Sequence, residues 1–209
     1  MSSTSTVRDP TGTFTEAVAQ AGIIPVLRTS TAQEAVDAAG LCFDAGLTMV
    51  ELTATTPDWP AALQQVRADH PGRLVGVGTV REATNALRAL QEGADFVVSP
   101  CSAPQVRSTL EGRLPFIEGG MTVGEVLAAA QHGVAKLFPA HVGGISYLRS
   151  ILAIAPNAHI VPTGGIALHQ VPDWLAAGAL AVGVGRDLLA ERDIASAVRT
   201  ALRGRAYSA

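Results

Sequence analysis

Ala45-Gly46-Leu47-Thr48-Met49-Val50-Glu51-Leu52-Thr53 reads as the end of a helix, a glycine and a strand. The glycine stands where a helix is expected to stop in a left-handed cap. The residues after it are the apolar and β-branched types that suit a buried strand. The same turn recurs as Glu92-Gly93-Ala94-Asp95, His132-Gly133-Val134 and Ala177-Gly178-Ala179. Working outward from these turns, strands are expected at Ile23–Arg28, Thr48–Thr53, Leu74–Gly78, Asp95–Ser99, Leu114–Glu118, Val134–Phe138, His159–Pro162 and Ala179–Val184. Between them lie Ala- and Leu-rich stretches of helical period, such as Thr31–Ala45 and Val123–His132. Eight such units without a composition break predict an α/β chain closed into a (β/α)8 barrel, a TIM barrel, over residues 13–209. A short helix near Phe14–Ala21 is expected to cover the barrel's bottom, and residues 1–12 to form a flexible N-terminus. The competing architecture is an open doubly wound sheet. Against it, no Gly-x-Gly-x-x-Gly joins the first strand to the first helix, and Gly76-Val77-Gly78 lacks the third glycine.

Composition agrees with a parallel sheet covered on both faces. Hydrophobic residues make up 48% of the 209 and charged ones 16%, so most of the chain must be buried or half-buried. Aromatics reach only 4%, which leaves a core of Ala, Val, Leu and Ile. A net charge of −3 offers nothing to nucleic acid or to an anionic membrane. Arg199, Arg203 and Arg205 form the only basic concentration and read as the solvated end of a helix. Cys42 and Cys101 lie far apart, match no metal-ligand spacing and are expected to be reduced. Residues 1–10 lack an apolar signal-peptide core, and no apolar run approaches the roughly 20 residues that span a bilayer. A soluble, cytoplasmic protein is expected.

In a parallel barrel the reacting groups come from the C-terminal ends of the strands. Here those ends carry Arg28, Glu51 and Thr53, Thr79, Ser99-Pro100, Glu118-Gly119, Lys136 and Phe138, Thr163-Gly164-Gly165, and Gly183-Val184-Gly185-Arg186. That is a polar set for so apolar a chain. By alternation, Arg28 shares a face with Ile24 and Val26, and Glu51 with Met49 and Thr53. On the same rule Thr79 goes with Val75 and Val77, and Lys136 with Val134 and Phe138. Each polar group is therefore expected to point into the barrel mouth.

Lys136 is the only lysine in the sequence; the other fourteen basic residues are arginine. Burying an ammonium is costly unless a partner or a function offsets it. Arginine cannot usefully lose its proton, whereas a desolvated lysine can. A neutral amine adds to a ketone to give an imine, whose protonated form withdraws electrons from the neighbouring carbon–carbon bond. Glu51, on another strand at the same level, is the candidate proton carrier. The competing reading is a Lys–Glu ion pair without chemistry. Thr163-Gly164-Gly165-Ile166 and Gly183-Val184-Gly185-Arg186 follow strands seven and eight, where backbone N–H groups can approach an anion. Plain turn chemistry is the alternative there.

Taken in order, Ile24-Pro25-Val26-Leu27-Arg28, Val50-Glu51-Leu52-Thr53, Val75-Gly76-Val77-Gly78-Thr79-Val80, Ser99-Pro100, Lys136-Leu137-Phe138-Pro139 and Pro162-Thr163-Gly164-Gly165-Ile166 resemble one family. It is that of the 2-keto-3-deoxy-6-phosphogluconate (KDPG) and 2-keto-4-hydroxyglutarate (KHG) aldolases, with the 6-phosphogalactonate branch. The likeness runs from about Ile23 to Leu189. It implies a class I aldolase in which Lys136 forms the Schiff base and Glu51 is the acid/base residue, working through a water. Thr79 would hold the pyruvate carboxylate and Phe138 would pack beside it, with Pro100 and Thr163 also in the site. Gly164, Gly165, Gly185 and Arg186 would receive the phosphate. The implied reaction yields pyruvate and glyceraldehyde 3-phosphate, needs no metal or other cofactor, and is carried out by a homotrimer. Three positions depart from the family pattern. Thr55 stands where the gluconate-type enzymes have a carboxylate-gripping arginine, which Arg28 is expected to replace as in the galactonate branch. Glu118 stands in a usual Pro-Gly and is expected as a second carboxylate at the mouth, and Arg186 replaces a small residue. A galactonate-type or hydroxyglutarate aldolase, a phosphosugar isomerase using Glu51 with Glu118, and a barrel that only binds its ligand are the alternatives.

Overall fold

A computed structural model describes residues 10–203. The strands are β1 (Ile23–Leu27), β2 (Met49–Thr53), β3 (Leu74–Gly78), β4 (Phe96–Val98), β5 (Phe116–Gly120), β6 (Val134–Leu137), β7 (His159–Pro162) and β8 (Val182–Val184). The helices are α1 (Pro10–Ala21), α2 (Ala32–Asp44), α3 (Trp59–Asp69), α4 (Ala83–Gln91), α5 (Pro104–Leu110), α6 (Val123–Ala130), α7 (Gly144–Ile154), α8 (Val171–Ala176), α9 (Arg186–Leu189) and α10 (Ile194–Ala201). The strands pair in parallel in the order β7-β6-β5-β4-β3-β2-β1-β8. A parallel bridge between Thr163 and Gly183 joins the two ends of that order, so the sheet closes into the expected eight-stranded barrel.

Sequence sets each boundary through local chemistry. Gly46, Gly93, Gly133 and Gly178, the four glycines of the recurring turn, all adopt positive φ. At α2 the Thr31 side chain accepts from the Glu34 N–H. At α6, Thr122 and Glu125 satisfy one another's backbone N–H groups in a capping box. Those hydrogen bonds, from the Thr122 backbone first, hold the Glu125 carboxyl below its ordinary range. Helix α1 begins at Pro10 rather than Phe14, so residues 10–12, expected in the loose N-terminus, form its first turn. Residues 1–9 of that segment, and Arg205 of the basic set, lie outside the described residues.

Two separate apolar layers result. Between strands and helices lie residues such as Val75, Val77, Val97, Leu137, Ile160 and Val184. Inside the barrel lie Ile24, Met49, Phe96, Val98, Ile117, Val134, Val161 and Ala181, plugged from below by Phe14, Val18 and Ala21 of α1. The Phe14 and Phe96 ring centroids are 5.4 Å apart. β3 therefore turns its valines outward and its glycines inward. A Cβ on Gly76 would overlap the Phe96 ring, so the glycine is what admits the inner layer's one large aromatic strand residue. Cys42 and Cys101 are both free thiols. Burial pushes the Cys42 thiol up to about 12, whereas Cys101 is exposed. Replacing Gly76 with Ala should destabilise the fold by about 1–3 kcal/mol through overpacking. A urea midpoint equal to that of the unsubstituted protein would show that the ring has room to move.

Candidate active site

β2 and β6 lie on opposite sides of the ring. Each sends its inward-facing side chains first into the apolar layer and then, one pleat higher, into the mouth. On β2 the order is Met49 then Glu51; on β6 it is Val134 then Lys136. Glu51 and Lys136 are 3% and 5% exposed, so the two charges have left water together. Lys136 Nζ stands 3.4 Å from each carboxylate oxygen of Glu51. It also lies 5.7 Å from the centroid of the Phe138 ring. Gly78 makes this pairing possible, because a Cβ there would overlap the Glu51 carboxylate.

Arg28 projects from the end of β1 and is exposed. Its Nη1 donates to Thr55 Oγ1 at 3.0 Å and its Nη2 to Thr79 Oγ1 at 3.2 Å. The guanidinium thus rests on Thr55, one of the three positions that depart from the family pattern. Thr79 reaches the mouth by a different route from the one expected. Val75 and Val77, its partners by alternation, face the helices. Thr79 escapes that parity because its φ is +61, a left-handed conformation that is costly for a β-branched residue.

Pro100, after β4, is brought over the barrel because Gly119 has no Cβ to strike its backbone. The buried Ser99 hydroxyl fixes that crossing, donating to Cys101 O at 2.7 Å and accepting from Gly119 N at 3.1 Å. After β7, Gly164 and Gly165 have φ of +97 and +68 and pass against the Phe138 and His141 rings. Thr163 is buried at 5% exposure in the space left by Gly183. Gly185 ends β8 and caps α9, whose first residue is Arg186. Arg186 is exposed at the rim.

All eleven residues expected in the site line one cavity of about 700 Å³. They are Arg28, Glu51, Thr79, Pro100, Lys136, Phe138, Thr163, Gly164, Gly165, Gly185 and Arg186. Asp187 also lines it and was not foreseen; its carboxylate accepts from Leu168 N at 2.6 Å, tying the loop after β7 to α9. Its signal was its place one residue beyond the strand-eight glycine loop. Glu118 is not at the mouth. It faces outward from β5, where it accepts from Ala103 N at 2.6 Å and ion-pairs with Arg107 of α5. β5 runs two residues further than expected, so Glu118 falls mid-strand, next to the inward Ile117. His141 and Cys101 are both exposed, and neither lines the cavity. Among the described residues no group of three His, Cys, Asp or Glu side chains is placed to hold a metal ion.

The cavity thus offers an amine beside a carboxylate at its floor, a guanidinium with a hydroxyl at one rim, and a glycine loop with a second guanidinium at another. The sequence model of the KDPG and KHG aldolase family matches residues 14–199, and the chain belongs to that family of carbon–carbon lyases. A 2-dehydro-3-deoxy-phosphogluconate aldolase of Pseudomonas aeruginosa is 32% identical over 161 residues, spanning 75% of this chain and 73% of that protein. A 2-dehydro-3-deoxy-6-phosphogalactonate aldolase of Escherichia coli is 26% identical over 190 residues, spanning 88% and 92%. A KDPG aldolase from Legionella pneumophila, solved with pyruvate captured at low pH as a covalent carbinolamine intermediate, superposes with a TM-score of 0.78. It is 27% identical, over 90% of this chain and 93% of that one.

The strain at Thr79 is measurable. Thr79→Gly should be at least as stable as the unsubstituted protein, by up to about 1 kcal/mol, because glycine adopts positive φ freely. A marked loss in thermal unfolding would mean that the hydroxyl's contacts outweigh the strain.

Proposed function

We propose that this protein is a class I aldolase that cleaves KDPG reversibly to pyruvate and glyceraldehyde 3-phosphate through an imine on Lys136. The observation that carries the reading is the chain's sole lysine, buried at the floor of the cavity with both oxygens of Glu51 at 3.4 Å. Glu51 takes a proton from the Lys136 ammonium, and the neutral amine adds to the substrate's ketone carbon. Return of that proton to the carbinolamine hydroxyl lets it leave as water, giving a protonated imine. A base takes the proton of the hydroxyl two carbons away. The bond joining that hydroxyl-bearing carbon to the carbon next to the imine then breaks, its electron pair passing to the imine as an enamine while the aldehyde departs. Protonation of the enamine carbon and hydrolysis release pyruvate and restore the amine. Glu51, working through a water, is the group placed to carry these protons.

Arg28 and Thr79 take the pyruvate carboxylate, and Phe138 closes the apolar side of the bound keto acid; Pro100 and Thr163 complete the pocket. The backbone at Gly164, Gly165 and Gly185 takes the phosphate, with Arg186 adding a charge-assisted contact. The hydrogen bonds of Arg28 to Thr55 and Thr79 favour one further reading, a preference for the galactonate epimer, because they put the carboxylate grip on β1. An isomerase using two carboxylates finds no support, since Glu118 is committed to Arg107 on the far side of β5. By family resemblance the enzyme is taken to be a one-domain homotrimer acting in the cytoplasm. No described helix is long and apolar enough to cross a membrane.

Borohydride added with pyruvate should attach one pyruvate-derived mass to Lys136, read by peptide mass spectrometry. Lys136→Arg should abolish both the adduct and retro-aldol turnover, and Glu51→Gln should slow turnover by about 100-fold or more. Turnover surviving in Lys136→Arg would sink the imine mechanism. Rates with the gluconate, galactonate and hydroxyglutarate substrates then separate the members of the family.

A further inference from the structure

We propose that Thr53 and Thr56 are positioning residues, which hold Arg28 for the carboxylate of the keto acid through a one-way chain of hydroxyl hydrogen bonds. The proposal rests on the aldolase reading for the identity of that ligand. Neither residue can touch substrate: Thr53 is 0% and Thr56 2% exposed, and neither lines the cavity.

The chain runs from the guanidinium to a backbone carbonyl. Arg28 Nη1 donates to Thr55 Oγ1 at 3.0 Å. Thr55 Oγ1 lies 3.1 Å from Thr53 Oγ1, which lies 3.4 Å from Thr56 Oγ1. Thr56 Oγ1 donates to Thr29 O at 3.4 Å and accepts from Thr29 N at 3.3 Å. The Thr29 hydroxyl also lies 3.4 Å from Thr56 Oγ1, but its own hydrogen goes to Thr31 O at 2.9 Å, so toward Thr56 it can only accept.

Each threonine has one hydroxyl hydrogen, and the carbonyl end of the chain fixes where each goes. The hydrogen of Thr56 is spent on Thr29 O, so Thr56 can only accept from Thr53. With its own hydrogen spent there, Thr53 can only accept from Thr55. The Thr55 hydrogen is thereby drawn inward, and its lone pairs are left facing out toward Arg28. An exposed threonine becomes a fixed acceptor for an exposed arginine. Without the buried links the Thr55 hydroxyl would be free to turn away, Arg28 would keep only its bond to Thr79, and a carboxylate would have to order the rest on binding.

The bonds weaken with depth, 3.0 and 3.1 Å near Arg28 and 3.4 Å beyond, so the effect of breaking them should fall in the same order. Thr53→Val keeps the shape and removes the hydroxyl. The concentration of pyruvate that half-saturates borohydride trapping should rise about five-fold in Thr53→Val and by less in Thr56→Val. The trapping rate at saturating pyruvate should change much less than that concentration, and Thr53→Ser should restore it. Thr55→Val, exposed and free of folding cost, should reproduce the rise if Thr53→Val folds poorly. An unchanged half-saturating concentration in Thr55→Val, or in a folded Thr53→Val, overturns the proposal. So does a loss confined to the saturating rate. A crystal structure of Thr53→Val should show the Arg28 guanidinium displaced from Thr55; an undisplaced guanidinium also overturns it. That measurement stands even if the unsubstituted protein takes no adduct, an outcome that would count against the aldolase reading instead.

Discussion

An ammonium and a carboxylate removed from water inside an apolar barrel constrain almost everything around them. The desolvation cost of each ion is offset only while the two stay in close contact, so Lys136 and Glu51 must sit at one height on strands that face each other. The barrel supplies that height through its register, since each stands one pleat above an apolar partner, Val134 and Met49. It supplies the space through Gly78, whose missing Cβ is the room the carboxylate occupies. Below the pair the inner layer is filled by unequal sizes, the Phe96 ring lying over Gly76 and Ala181 completing the opposite side. A floor packed in this way cannot sink or tilt to let the charges separate.

Much of this was legible because it repeats. Four glycine turns and eight apolar runs define the strand–helix unit, and a unit repeated eight times closes on itself. Alternation then placed Arg28, Glu51 and Lys136 correctly, since their strand phases were anchored by Ile24, Met49 and Val134. The same rule failed on β3, for a physical reason. A parallel sheet is apolar on both faces, so Val75 and Val77 carry no mark of which side they face. The mark was in Gly76 and Gly78, whose missing side chains leave the inner space to Phe96 and Glu51. Thr79 joins the mouth only through a left-handed backbone, and no pattern of residue types announces that. Glu118 was misplaced by a boundary two residues too early, enough to turn a mid-strand group into an apparent strand end.

The departures from the family pattern fall unevenly. They occur at Thr55 and Arg186, both exposed at the rim, and at Glu118, which is buried but compensated by Arg107 and by the N–H of Ala103. None falls on the buried pair. A change at Lys136 or Glu51 alone would leave the partner as an unpaired buried charge, among the most destabilising changes a core can suffer. At the rim, one guanidinium can replace another from a neighbouring strand, because water screens the arrangement while it shifts. Arg28, just after β1, rests on Thr55, just after β2, in this solvent-exposed setting.

The division also lets a chain of net charge −3 carry exposed positive groups at one end of its barrel. Within the cavity the positive groups are Arg28, Lys136 and Arg186, against the carboxylates of Glu51 and Asp187. Each of those carboxylates is engaged, Glu51 by Lys136 and Asp187 by the backbone N–H of Leu168. The two arginines are left as the outward field of the mouth, on the neighbouring ends of β1 and β8. The buried floor and the solvated rim are therefore under different physical controls. Desolvation locks the first, while solvent leaves the second free to be retuned, so the rim can diverge in this fold while the Lys136–Glu51 pair stays in place.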